Sequence, residues 1–174
     1  MPKTHETIRE SLYRVHYRQV NAFFDRLFSD AVAADRMSEE VFSDAFTNYG
    51  VFGIRTRRDM ASQEYEIRVL LSRLCVKCAL HHLRDDPDAP LTEDPGYSLR
   101  GEVSSHGLYR VLSSLQGNGC ELLLLHHCAD LPMDEIAPLY DISPEAALIR
   151  YLRARRTFYG KFRTVATESD PSSR

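Results

Sequence analysis

The chain has 174 residues, 43% of them hydrophobic and 27% charged, with a formal net charge of −3. That length suits one medium domain or two small helical ones, and no run of about 18 uninterrupted apolar residues is present to span a membrane. The polar, acid-bearing start MPKTHETIRESLYR is unlike a secretory signal, so a cytoplasmic protein is expected, and disulfides among Cys75, Cys78, Cys120 and Cys128 are not.

The apolar residues recur at helical spacing from the start. Leu12, Val15, Tyr17, Val20, Phe23, Phe24, Leu27 and Phe28 form one broad stripe, which predicts a first helix. A second is predicted from about Ala33 to Asn48, with Met37, Val41, Phe42, Ala45 and Phe46 inward. Residues 49–62 read as a basic, aromatic loop. Tyr49, Phe52 and Tyr65 can stack on bases, and Arg55, Arg57, Arg58 and Arg68 can hold phosphates. A solvated loop with two core aromatics is the competing reading. The third helix is predicted from about Gln63 to Arg84, with Ile67, Leu70, Leu71, Leu74, Cys78 and His82 inward. On it Arg73 and Lys77 lie one turn apart and can extend the same basic path.

Residues 85–105, DDPDAPLTEDPGYSLRGEVSS, contain three prolines, two glycines, six acids and one base. No period survives there, and the segment reads as a linker kept extended by proline and self-repulsion. Four shorter helical stretches follow, at roughly 106–115, 119–129, 133–140 and 144–163. Leu108, Val111, Leu112 and Leu115 give the first its face, and Leu122 to Leu125 make the second nearly all apolar. The fold class is therefore all-α: two small helical domains, 1–84 and 106–164, joined by an acidic linker at 85–105. Residues 165–174 are expected to be an unstructured tail.

The stretch LPMDEIAPLYDISPEAALIRYLRARR carries the strongest functional pattern. Asp141 can take a left-handed turn, though less readily than glycine. Ile142 plugs the core. Ser143, Pro144 and Glu145 supply a side-chain cap, a proline at the first position and an acid near the positive end of the dipole. Alanines at 137 and 147 let two helices cross closely. Six bases and no acid follow between Arg150 and Arg163. This is helix-turn-helix chemistry, with Arg150, Arg153, Arg155 and Arg156 placed to meet phosphates or base edges. An ordinary helical hairpin with a solvated basic end is the plainer alternative.

Cys75, Cys78 and His82 share one face of the third helix, and Cys120, His127 and Cys128 share one face of a later one. A single mid-helix CxxC on an apolar stripe reads as core cysteine rather than zinc ligand; a redox-sensing pair is the other minor reading. No metal and no cofactor is expected. No nucleophile elbow, phosphate-cradling glycine loop or His-Glu metal helix occurs, and adjacent Asp134 and Glu135 point to different helix faces, so an enzyme is not expected.

The string LYRVLSSLQGNGCELLLLHHCADLPMDEIAPLYDISPEAALIRYLRARRTFYGKF resembles region four of bacterial RNA polymerase sigma factors of the extracytoplasmic-function class. The stretches LYRVHYRQVNAFFDRLFSD, AADRMSEEVF and LLSRLCVKCALHHLR resemble region two of the same class, and together the likeness covers about residues 12–163. The resemblance implies a DNA-binding transcription factor that joins the RNA polymerase core and directs promoter recognition. Arg36, Glu39 and Glu40 would contact polymerase. Tyr49, Phe52, Arg55, Arg57, Arg58, Arg68, Arg73 and Lys77 would open and hold the −10 strand. Arg150, Arg153, Arg155 and Arg156 would meet the −35 duplex. An anti-sigma protein is a further implied partner.

The chain departs from the family pattern at Leu70, where a tryptophan is usual, and at Asp141, where glycine is favoured. Pro138 lies inside the first helix of the pair and requires that helix to start at about Asp134. Leu148, Ile149 and Leu152 stand where polar or basic groups are common, and Ala147, Tyr151 and Ala154 are needed for the core. Such an apolar face fits protein better than DNA. It packs on the first domain or on an inhibitor, or the −35 contact is weak. The alternative function is thus a sigma-like interaction protein that binds an anti-sigma or other regulator without reading DNA. A helix-turn-helix regulator that ignores polymerase is the third.

Overall fold

The computed structural model describes residues 5–48, 60–92 and 103–168. Among them the chain is helical throughout: α1 (His5–Asp25), α2 (Ala31–Asn48), α3 (Met60–Asp85), α4 (Ser105–Ser113), α5 (Gly119–His127), α6 (Met133–Ile136), a 3-10 turn (Ala137–Tyr140) and α7 (Pro144–Glu168). The all-α class holds. No helix of the described residues is long and apolar enough to cross a membrane.

The first three helices form a bundle. The inward face of α1 holds His16, Val20, Phe23 and Phe24, and buried Phe28 follows in the turn after it. Phe23 and Phe24 meet edge-on at 5.3 Å, a geometry favoured by about 0.5–1.5 kcal/mol beyond the area it buries. Val15, expected inward, is 63% exposed, because the buried positions follow 16, 20, 23 and 24 and position 15 falls off that arc. The Asp30 carboxylate accepts from the Val32 and Ala33 amides and starts α2. On α2, Met37, Val41, Phe42 and Ala45 are buried as expected. A polar tie joins α1 to α2: the Tyr17 hydroxyl donates to Asp35 at 2.6 Å, which pushes its pKa up to about 12.

Helix α3 is the spine of the molecule. It packs on α1 and α2 and also on α4 and α5. Val69, Leu71, Leu74, Cys75, Val76, Cys78, Ala79 and Leu83 are therefore buried, more of its circumference than one stripe predicts. The apolar core runs without a break from Val20 in α1 to Phe162 in α7, so the two halves share it.

Residues 85–92 do not stand clear as an extended strap. Pro90 and Thr92 are held by Ser29 N to Pro90 O at 3.0 Å and Thr92 N to Leu27 O at 2.9 Å, and the Thr92 hydroxyl donates to Asp25 O at 2.8 Å. Phe28 and Leu91 form an isolated antiparallel bridge, and Ala89 is buried and accepts from the Ser105 hydroxyl. Ala89 is buried and Leu91 half-buried there, while Asp85, Asp86 and Asp88 stay exposed. The rest of the predicted linker, 93–102, lies outside the described residues.

The second half matches the expected order. Ser104 caps α4 by accepting from Gly107 N at 3.2 Å. All four leucines of α5, Leu122 to Leu125, are buried. Helices α5 and α7 cross closely at Gly119, where an added Cβ would meet the Ala154 methyl at 3.1 Å. Helix α7 runs to Glu168, past the point where the tail was expected; 169–174 lie outside the described residues.

His16 is 5% exposed, and burial lowers its pKa below 6.5 despite nearby Glu64 and the Gln19 side chain; Arg68 lowers it further. The folded state therefore binds fewer protons than the unfolded one just below pH 6.5, so stability falls as pH drops through that value and is flat above it. The parent is expected to lose more melting temperature between pH 7.5 and 5.5 than His16→Leu does, as read by circular dichroism.

Candidate nucleic-acid interface

The helix-turn-helix is built from α6, the 3-10 turn and α7. Pro138 donates no hydrogen bond and its ring would strike the carbonyl four residues back, so the α-helix gives way to a 3-10 turn there. The first helix begins at Met133, one residue before the position that Pro138 requires. Asp141 ends the turn in the left-handed region, φ 52 and ψ 47, and Ile142 N donates back to Ala137 O at 3.3 Å. Ser143 then caps α7 by accepting from Ala146 N at 3.2 Å. Ala137 and Ala147 are 1% and 0% exposed at the crossing, small enough for the two backbones to approach.

Ala147, Tyr151, Ala154, Phe158 and Phe162 form the buried face of α7. Tyr151 is locked against α5: its hydroxyl lies 2.6 Å from His127 Nε2, and its ring meets His126 edge-on at 4.8 Å. The opposite face is open. Arg150, Arg153, Arg155 and Arg156 are all exposed. Arg155 lies over the Tyr159 ring at 5.6 Å. Arg150, Arg153 and Arg156 make no ion pair among the described residues and line a cleft between α7 and the α4–α5 turn. Lys161 borders it and donates to Ser114 O at 3.1 Å. Leu148, Ile149 and Leu152 are also exposed, at 45%, 51% and 48%, and do not pack on the first half.

The first-half residues divide. Tyr49, Phe52, Arg55, Arg57 and Arg58 lie outside the described residues. Arg68, Arg73 and Lys77 are described, and each has an acidic partner. Arg68 pairs with Glu135 of α6, Arg73 Nε with Glu121 Oε1 of α5 at 2.7 Å, and Lys77 Nζ with Asp44 Oδ2 of α2 at 3.2 Å. The Tyr65 hydroxyl donates to Glu135 O at 2.7 Å. Arg36, Glu39 and Glu40 stand exposed on the outer side of α2.

Sequence reasoning missed Arg26. It pairs with Asp130 and donates to the Cys128 and His127 carbonyls at 2.9 and 3.3 Å, capping the C-terminal end of α5 from the other half. No local pattern reports a contact spanning about a hundred positions.

Among the described residues no three His, Cys, Asp or Glu side chains converge as a metal would require. Cys75 and Cys78 are buried. Burial pushes the Cys75 thiol well up and the Cys78 thiol up to about 12, which leaves neither as thiolate at neutral pH. Both are expected to resist iodoacetamide at pH 7.5 in the native protein and to react once it is unfolded, as read by intact mass.

No family model, curated protein or solved structure matches the chain.

Proposed function

We propose that the chain is a sigma-type subunit of bacterial RNA polymerase that directs promoter recognition and transcription initiation in the cytoplasm. The observation that carries this reading is the face of α7. A capped helix follows a tight left-handed turn, is held from behind by Tyr151 and Phe158, and presents Arg150, Arg153 and Arg156 outward without ion-pair partners among the described residues. Guanidinium groups on a rigid exposed helix suit phosphates and guanine edges. The three-helix bundle ahead of it, with Arg36, Glu39 and Glu40 exposed on α2, is the half that would dock on polymerase. The chemistry is binding alone: contacts to enzyme and DNA would offset the few kcal/mol needed to unstack a base.

The test is run-off transcription with purified core polymerase and a genomic fragment library. Stable core binding and template-specific transcripts are expected; no core binding at low salt rules the reading out.

Exposed Leu148, Ile149 and Leu152 favour a second reading, in which α7 docks on a protein regulator rather than DNA. The pair Leu148→Lys and Leu152→Lys separates them. Duplex binding should hold or strengthen if α7 reads DNA, whereas capture of a regulator should collapse if the apolar face is the contact.

A further inference from the structure

We propose that α5, α6 and the loop between them act as an intramolecular competitor for nucleic-acid phosphates, their acids occupying a basic surface of α3 and of the turn after α1 through which the first half holds a polyanion. This inference rests on the promoter-recognition reading and names what regulates its first-half surface.

Three guanidinium groups of the first half each face an acid of the second: Arg26 to Asp130, Arg68 to Glu135 and Arg73 to Glu121. In all three the base belongs to the first half and the acid to the second. A guanidinium fork that fits a carboxylate also fits a phosphodiester, so one anion can replace the other with little rearrangement of the base. The Tyr65 phenol is spent in the same place, donating to the Glu135 carbonyl.

The seam is open to such an exchange. Arg26 and Arg73 keep 38% and 53% of their side-chain surface, and Arg68 keeps 34%. A groove of about 620 Å³ runs beside it between α3 and the α4–α5 region, and one wall is Arg73, Lys77, His81 and Arg84. Those four sit at spacings of four, four and three along α3 and so follow one side of the helix. A polyanion lying along that side reaches Arg73 and displaces Glu121, while Arg68, about 140° farther round α3, offers a second site where Glu135 is displaced.

The test uses the full chain carrying Glu121→Gln, Asp130→Asn and Glu135→Gln. Asparagine suits position 130, where the backbone is left-handed with φ 55. A control, Glu10→Gln, Asp86→Asn and Asp88→Asn, changes net charge equally at exposed sites away from the seam. Radius of gyration is read by small-angle scattering, and affinity for a labelled single-stranded DNA by anisotropy at about 0.1 M salt. The seam variant should keep the parent's radius of gyration and helical circular dichroism, because the shared core still holds the halves together, and bind at least tenfold more tightly, since each freed phosphate contact to a single strand contributes about 0.7 of a decade at that salt. The control should stay compact and gain less than threefold.

Unchanged affinity overturns the proposal, because the uncovered guanidinium groups then have no use for phosphates. An equal gain in the control overturns it too, since net charge alone then explains the result. Neither readout involves polymerase. Failure of the promoter-recognition reading appears separately, as absent core binding.

Discussion

Replacing Arg150, Arg153 and Arg156 together with alanine is expected to lower duplex affinity by about two to three decades at 0.1 M salt. Each phosphate contact contributes about −0.9 to the slope of log K against log salt, hence about 0.9 of a decade at that concentration and roughly 2.7 decades for three. The slope itself should become shallower by about 2.7. The fold should survive, because all three side chains are exposed and alanine favours a helix interior. Fluorescence anisotropy across a salt series, with circular dichroism as the check on folding, measures both quantities. An unchanged slope would mean that the cleft beside α7 meets no phosphate. Arg155 is left out of the set because its guanidinium already lies over Tyr159.

Phe24→Ala should cost about 3–5 kcal/mol of stability, the largest loss expected from any single change named above. The ring is 0% exposed and meets Phe23 edge-on, so its removal forfeits the transfer energy and leaves a hole that close-packed neighbours cannot fill. Total stability for a chain of this size is on the order of 5–15 kcal/mol, so the variant sits near the edge of folding. Because the core runs unbroken from α1 into α7, the loss should be felt by both halves. Urea unfolding followed through α-helical signal should show one transition shifted to lower denaturant. Two separate transitions, with the second unmoved, would mean that the halves fold independently.

Much of the fold was legible because helical periodicity is local. The apolar faces of α2 and α4, the four buried leucines of α5, the turn at Asp141 and the cap at Ser143 all follow from residues within a few positions of one another. Val15 and the breadth of burial on α3 were not legible. A single-stripe pattern cannot say how many neighbours a helix will have, and α3 packs on α1, α2, α4 and α5 and reaches α6 through Tyr65 and Arg68. The seam was not legible either. Arg26 and Asp130 are separated by 104 positions and Arg68 and Glu135 by 67, and nothing in either local sequence announces the other. Reading Arg68 and Arg73 as phosphate ligands was a statement about their chemistry, which the carboxylates beside them share. For α7 the sequence already placed Ala147, Tyr151 and Ala154 inward, as they are; the structure added Phe158 and Phe162 to that face and the cleft that Arg150, Arg153 and Arg156 line.

Leu91 and Thr92 are fastened to the turn after α1 and so belong to the first half. The chain between Thr92 and Val103 can reach no farther than roughly 40 Å when fully drawn out. A tether so short holds its two ends at an effective concentration in the millimolar range. Even individually weak ion pairs between the halves are then re-formed readily once broken, and inserting residues into that stretch should weaken them by lowering that concentration.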